Sequence, residues 1–176
     1  MPMTAQAAPA IPHALVTRSG GHLSVRQAAP EDEALLAGFF DHVSADDRRF
    51  RFFCAQDHVG HDQLAMMVGT DHFRVESFLA FDAAGVLVGH GMLACDGPLD
   101  TAEVAVSIRG DRRGQGIGWA MLDLLAEAAR QRGVRRVISI EDRDNHAAIA
   151  LEREKGFTAH GIDDDPALVL LEKMLR

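Results

Sequence analysis

Two features of the sequence have the residue types and spacing to do chemistry. The first is Arg113-Gly114-Gln115-Gly116-Ile117-Gly118, three alternate glycines behind a basic residue. Glycines at that spacing let a backbone approach a ligand closely. The helix starting here presents N–H groups without internal partners at its positive end, an arrangement that suits a phosphate or pyrophosphate. A phosphate loop would continue with Lys and Ser or Thr, but Gly118 is followed by Trp119. The dinucleotide fingerprint needs a third glycine where Trp119 stands. It also joins strand to glycines directly, whereas Arg109-Gly110-Asp111-Arg112 intervenes here. Glu141 falls where a ribose-binding acid would sit, which keeps that reading open. The second feature is Glu103, one charge inside Ala102-Glu103-Val104-Ala105-Val106. A charge in such a strand is costly unless it has a partner or a task, and a solvated or ion-paired glutamate is the plain alternative.

These residues need elements to hold them. Ala102–Ile108 is a β-branched run of strand length ahead of the glycines. Behind them Ile117, Ala120, Met121, Leu124, Leu125 and Ala128 recur at helical spacing, until Arg130-Gln131-Arg132-Gly133 ends the helix. Upstream, His22–Arg26 reads as a strand, and Pro30-Glu31-Asp32-Glu33 opens a helix buried through Leu35, Leu36, Phe39, Phe40 and Val43. Ser44 caps a short helix with Asp46 and Asp47 in its first turn, and Phe50, Phe52 and Phe53 read as core. A third helix covers residues 61–68. Residues 76–81 and 86–94 pair around Asp82-Ala83-Ala84-Gly85, a hairpin signal. Downstream, 134–141 is a buried strand, 145–155 a helix, and 157–162 and 168–174 the last strands. Strands in a meander followed by strand–helix–strand units indicate an α/β fold with a mixed sheet.

The 176 residues suit one domain, and 47% hydrophobic with 25% charged residues is ordinary globular composition. Residues 1–21, rich in Ala, Pro, Ser and Thr, read as a flexible tail, leaving 22–176 as the domain. A net charge of −8 argues against nucleic acid and favours basic or amine partners. No apolar run has membrane-spanning length. Cys54 and Cys95 without metal spacing fit a reducing cytoplasm, and the histidines gather no ligand set, so no metal is expected.

Arg113-x-x-Gly116-x-Gly118 between strand and helix resembles the acetyl-CoA loop of the GNAT acetyltransferase superfamily. Asn145-His146-Ala147-Ala148, running on to Gly156-Phe157, is similar to that family's Asn-x-x-Ala helix and terminal Gly-Phe. Val25-Arg26, Pro30-Glu31-Asp32, Phe39-Phe40, Ser44 and Arg48–Phe53 resemble Pat-type bacterial protein lysine acetyltransferases, as does Ala102–Val106. The likeness covers roughly residues 22–174. It implies the GNAT fold, a mixed and mostly antiparallel sheet flanked by helices, and acetyl transfer from acetyl-CoA to an amine, foremost a protein lysine. A small-molecule amine acetyltransferase and a non-catalytic acyl-CoA sensor are the rivals, and a homodimer is left open.

Acyl transfer to an amine needs a proton acceptor, because only about one free lysine in a few thousand is neutral at pH 7. Glu103 is the residue for that task, and the resemblance puts a proposed base there. The resemblance further implies that the backbone of Val106–Ile108 faces the thioester and pantetheine arm. It implies that Arg113, Gly114, Gln115, Gly116, Ile117 and Gly118 hold the pyrophosphate, and that Asn145 contacts the cofactor or merely caps its helix. Many relatives place a tyrosine where Glu152 stands, and this chain has no tyrosine. Asp163-Asp164-Asp165 is an ordinary solvated turn or an acidic rim that draws in a cationic acceptor.

Overall fold

The computed structural model describes residues 14–175. Eight strands form one sheet: β1 (Ala14–Val16), β2 (His22–Gln27), β3 (Val75–Phe81), β4 (Leu87–Cys95), β5 (Thr101–Ile108), β6 (Arg136–Asp142), β7 (Thr158–Gly161) and β8 (Leu168–Met174). Their order is β1-β2-β3-β4-β5-β6-β8-β7, antiparallel throughout except for β5 against β6. The described residues also form five α-helices: α1 (Glu33–Asp41), α2 (Ala45–Phe52), α3 (His61–Val68), α4 (Ile117–Gln131) and α5 (His146–Glu154). This is the mixed, mostly antiparallel α/β architecture expected from the sequence.

Alternation along the strands sorts two cores onto the two faces of the sheet. Phe78 and Ala80 of β3 join the first, with Met121, Leu124, Leu125 and Ala128 of α4. Leu79, between them, turns to the second, with Leu36 and Phe40 of α1 and Leu64 and Met67 of α3. Gly91 lets α4 lie close, since a Cβ there would meet Met121 Cε at 2.8 Å. His90 faces the second core, edge-on to Phe40, and shares a 2.9 Å hydrogen bond with Ser77. Burial lowers its pKa to about 3, so it is a neutral core residue at physiological pH.

Two expectations are revised. Of the expected tail, residues 1–13 lie outside the described residues, but Ala14–Val16 pairs with Ser24–His22 as β1. The reason is local: Thr17 Oγ1 accepts from Gly21 N at 2.9 Å and Gly20 takes φ +87°, closing a tight turn. The helix opened by Pro30 starts as a 3₁₀ turn over Pro30–Asp32 before α1. There Asp32 accepts from Ala29 N at 2.8 Å and pairs with both terminal nitrogens of Arg26, at 2.6 and 2.7 Å.

Candidate active site

The site is opened by a defect in the sheet. β5 and β6 pair only through Thr101–Glu103 with Arg136–Ile138, and then part. Beyond Glu103, β5 keeps β4 on one side and, among the described residues, has no strand on the other. Alternate N–H and C=O groups of Val104–Ile108 therefore face open space. The space is a cleft of about 410 Å³, walled by β5, the glycine loop, the start of α4, the end of β6, α5 and α2.

At the loop, Gly114 and Gly116 take φ of +74° and +78°. Gly116 caps α4 with no side-chain hydrogen bond, and the first bond back to it is Ala120 N to Gly116 O at 3.2 Å. The N–H groups of Ile117, Gly118 and Trp119 thus have no partner within the helix, and no acid occupies the first turn to compete for them. This is a cradle for an anion, beside a free strand edge.

The opposite wall is built of acids. Glu141, at the end of β6, accepts from Ser139 Oγ at 3.0 Å and Asn145 Nδ2 at 2.9 Å. Asn145 also caps α5, its Oδ1 accepting from Ala148 N at 3.4 Å. Glu152 lies on the same helix face, seven residues after Asn145. It is 4% exposed, and its Oε2 has no hydrogen-bond partner among the described residues. Burial raises both carboxyls, and the charge of Glu141 helps push Glu152 up to about 8, so Glu152 is mostly protonated at neutral pH. Ser107, nearly buried on β5, also leaves its Oγ unpartnered in the cleft wall.

α2 crosses this space. Asp47, Phe50 and Arg51 share one helix face by their i, i+3, i+4 spacing and line the cleft. Asp47 pairs with Arg113 of the loop at 3.5 Å, and Arg49 with Asp142 of β6 at 3.2 Å. The helix is pinned to both walls.

The model of the acetyltransferase (GNAT) family matches residues 32–157. The chain belongs to this family. It is 34% identical over 87 residues to an L-methionine sulfoximine/L-methionine sulfone acetyltransferase of Pseudomonas aeruginosa, 47% of this chain and 51% of that protein. The chain thus spans about half the length of such relatives. An acetyltransferase of the same species is 26% identical over 154 residues, 86% of this chain and 83% of the relative. The GNAT domain of S. lividans PAT superposes with a TM-score of 0.85 at 25% identity, covering 92% of this chain and 96% of that one.

Of the site residues expected from the sequence, Glu103, Val106, Ile108, Arg113, Gly114, Gly116, Gly118 and Asn145 line this GNAT cleft. Glu103 is exposed rather than enclosed by apolar groups. Gln115 and Ile117 do not line it. The Gln115 carbonyl accepts from Ser19 Oγ at 2.6 Å, and Ile117 is buried in the first core because the turn rotates both away. Gly116 has a structural reason beyond a ligand, since a Cβ there would lie 2.8 Å from Arg18 N. Asp163, Asp164 and Asp165 do not line the cleft either. Phe50 and Phe53 line it instead of joining the core.

Sequence reading missed Arg51 as a cleft residue, and it gave Glu152 the place of the family's tyrosine without a role. Their signals were spacing: four residues after Asp47, and seven after Asn145. Among the described residues no cluster of three His, Cys, Asp or Glu is placed to hold a metal, and no helix is long and apolar enough to cross a membrane.

The residues present fit acetyl-CoA, the co-substrate of the family. The N–H groups at the start of α4 suit a pyrophosphate, and the unpaired edge of β5 suits an extended amide-bearing arm.

Proposed function

We propose that this chain transfers the acetyl group of acetyl-CoA to a primary amine. The observation that carries the reading is the cleft where β6 leaves β5, with an anion cradle at one end and carboxylates along its walls. Acetyl-CoA supplies the activated acyl group as a thioester when bound. Gly114, Gly116, Gly118 and the first N–H groups of α4 hold its pyrophosphate, and Val106–Ile108 pairs with its arm through the backbone. An N–H on that edge meets the developing charge on the carbonyl oxygen. Glu103 takes the proton of the attacking amine, and its exposure lets the carboxylate reach an acceptor entering from solvent.

Two acceptors divide the support. A protein lysine is the acceptor suggested by the sequence likeness to Pat-type enzymes and by the fold shared with the GNAT domain of S. lividans PAT. A free amine is suggested by the relatives named for methionine sulfoximine and methionine sulfone. Acetyl-CoA consumption measured with a panel of free amines and with candidate acyl-CoA synthetases as protein acceptors tests both. Turnover with either class supports transfer. Acetyl-CoA binding without turnover on any acceptor makes the chain a sensor of the cofactor.

A further inference from the structure

The acceptor side of the cleft holds a positive charge with unspent donors. Of the guanidinium groups in the cleft wall, Arg18 pairs with Glu154 at 2.6 Å and Arg113 with Asp47 at 3.5 Å. Arg51 makes no ion pair among the described residues. Its Nη2 reaches Met92 Sδ at 3.5 Å, a weak acceptor, and its guanidinium carbon lies 5.2 Å from the Phe52 ring centroid. Glu103 and Glu141 stand near enough for their charges to act on it, but neither is in contact. Burial acts in the other direction and dominates, lowering the Arg51 pKa. Arg51 is half-buried in the cleft wall, so its free donors face the cleft, where an anionic group of a ligand can meet them in a charge-assisted pair.

Position decides what the anion belongs to. α2 is held to both walls by its two ion pairs, so Arg51 is fixed over the part of the cleft that Glu103 also lines. Asp47, one turn before Arg51 on α2, is the residue that meets the glycine loop, through Arg113, whereas the charges that act on Arg51 are Glu103 and Glu141, so Arg51 is placed to serve the acceptor. A ligand that meets Arg51 and Glu103 together carries a carboxylate and an amine on one small frame. Phe50 and Phe53 beside them offer an apolar wall to whatever else it carries.

We propose that Arg51 binds the carboxylate of the acceptor, and that the acceptor is a free α-amino acid whose amine faces Glu103. This rests on the acetyl-transfer reading above and selects the small acceptor over a lysine inside a protein chain, whose own α-carboxyl is taken up in a peptide bond. In the step itself the amine nitrogen bonds to the acetyl carbon and the carbon–sulfur bond breaks. The sulfur keeps the electron pair, and the amine proton passes to Glu103. The products are an N-acetyl amino acid and CoA. Arg51 assists twice, because a fixed cation beside the ammonium favours its neutral, attacking form.

The test compares L-leucine with 3-methylbutylamine, the same molecule without its carboxylate. The wild-type kcat/KM is expected to favour leucine by about tenfold or more, the scale of a charge-assisted pair. In Arg51→Met that ratio falls to about one, and Arg51→Lys keeps part of it, since an ammonium lacks the two-pronged fork. Unchanged affinity for acetyl-CoA checks that each variant is folded. A wild type without preference, or a preference that survives Arg51→Met, overturns the proposal. Should no amine be acetylated, the transfer reading fails by itself. Calorimetric binding of leucine to the CoA-saturated protein then decides the role of Arg51: Arg51-dependent binding supports it, and no binding overturns it.

Discussion

The two walls of the cleft do similar work by different means. The wall from β5 to α4 acts through its backbone: a free strand edge, two left-handed glycines and unpaired N–H groups. Its one cation, Arg113, is already engaged by Asp47. The wall from β6 to α5 acts through side chains, with Glu141, Asn145 and Glu152 drawn together by one helix face and one strand end. A backbone wall recognises what is common to a class of ligands and tolerates little change in chain path. A side-chain wall sets charge and proton occupancy, and is free to vary without altering the fold.

The largest expected effect decides which wall holds the working base. Glu103→Gln should lower kcat by about 10²-fold while the acetyl-CoA dissociation constant barely moves. A full rate in Glu103→Gln with a collapsed rate in Glu141→Gln would transfer the proton-accepting role to the β6 wall.

Next comes the backbone wall. Gly116→Val combines φ +78° with a Cβ 2.8 Å from Arg18 N, so it should lose acetyl-CoA affinity by tenfold or more and lower the melting temperature. Gly114→Ala has φ +74° but open space, and should cost only the conformational strain of about 1–2 kcal/mol. Calorimetric titration with acetyl-CoA and thermal melts of both variants check the contrast.

The side-chain wall has a stability signature. Glu152 binds its proton more tightly folded than unfolded, so the native state carries the extra proton between about pH 4.5 and 8. Stability therefore falls as pH rises through that window and stays lowered above it. Glu152→Gln removes this dependence, so its melting temperature should exceed that of the wild type at pH 8.5 by about 4 °C or more, with little difference at pH 5. Identical pH profiles would place the carboxyl in contact with water.

The smallest effect lies outside both walls. Because Asp163, Asp164 and Asp165 do not line the cleft, replacing all three with Asn should leave the acceptor KM within about twofold at any ionic strength. A KM that rises at low salt would extend the acceptor surface to the β7–β8 turn.

The same contrast explains what could be read from the sequence. The glycine loop, α4 and the last strand, residues 168–174, follow from local pattern, because neighbours in the chain make them. The backbone wall is such a local object. Arg51 is not legible as a site residue, and Glu152 has a place but no role, because a charge beside phenylalanines, or an acid within an apolar helix stripe, acquires meaning only from distant residues. Glu141 stands 11 residues from Glu152, on another element. The turn that folds α5 back on β6, tied by Asn145 Nδ2 to Glu141, brings them together, and spacing along the chain does not reveal it. The β1 strand was hidden differently: three residues with one inward side chain, Leu15, carry too short an alternation to register.

The three-residue parallel ladder that opens the cleft is also a seam in folding. On one side β3, β4 and β5 are joined by short turns, and such contacts close quickly at little entropic cost. On the other, β6 must find β5 across the whole of α4, and β8 returns past α5 and β7 to pair with β6. Amides in β6 and β8 should therefore exchange with deuterium in a separate, earlier-opening group than those of β3 and β4. A ligand seated in the cleft touches both sides of the seam. It will slow exchange in the β6–β8 portion more than in the meander, acting as a rivet on the last joint the chain makes.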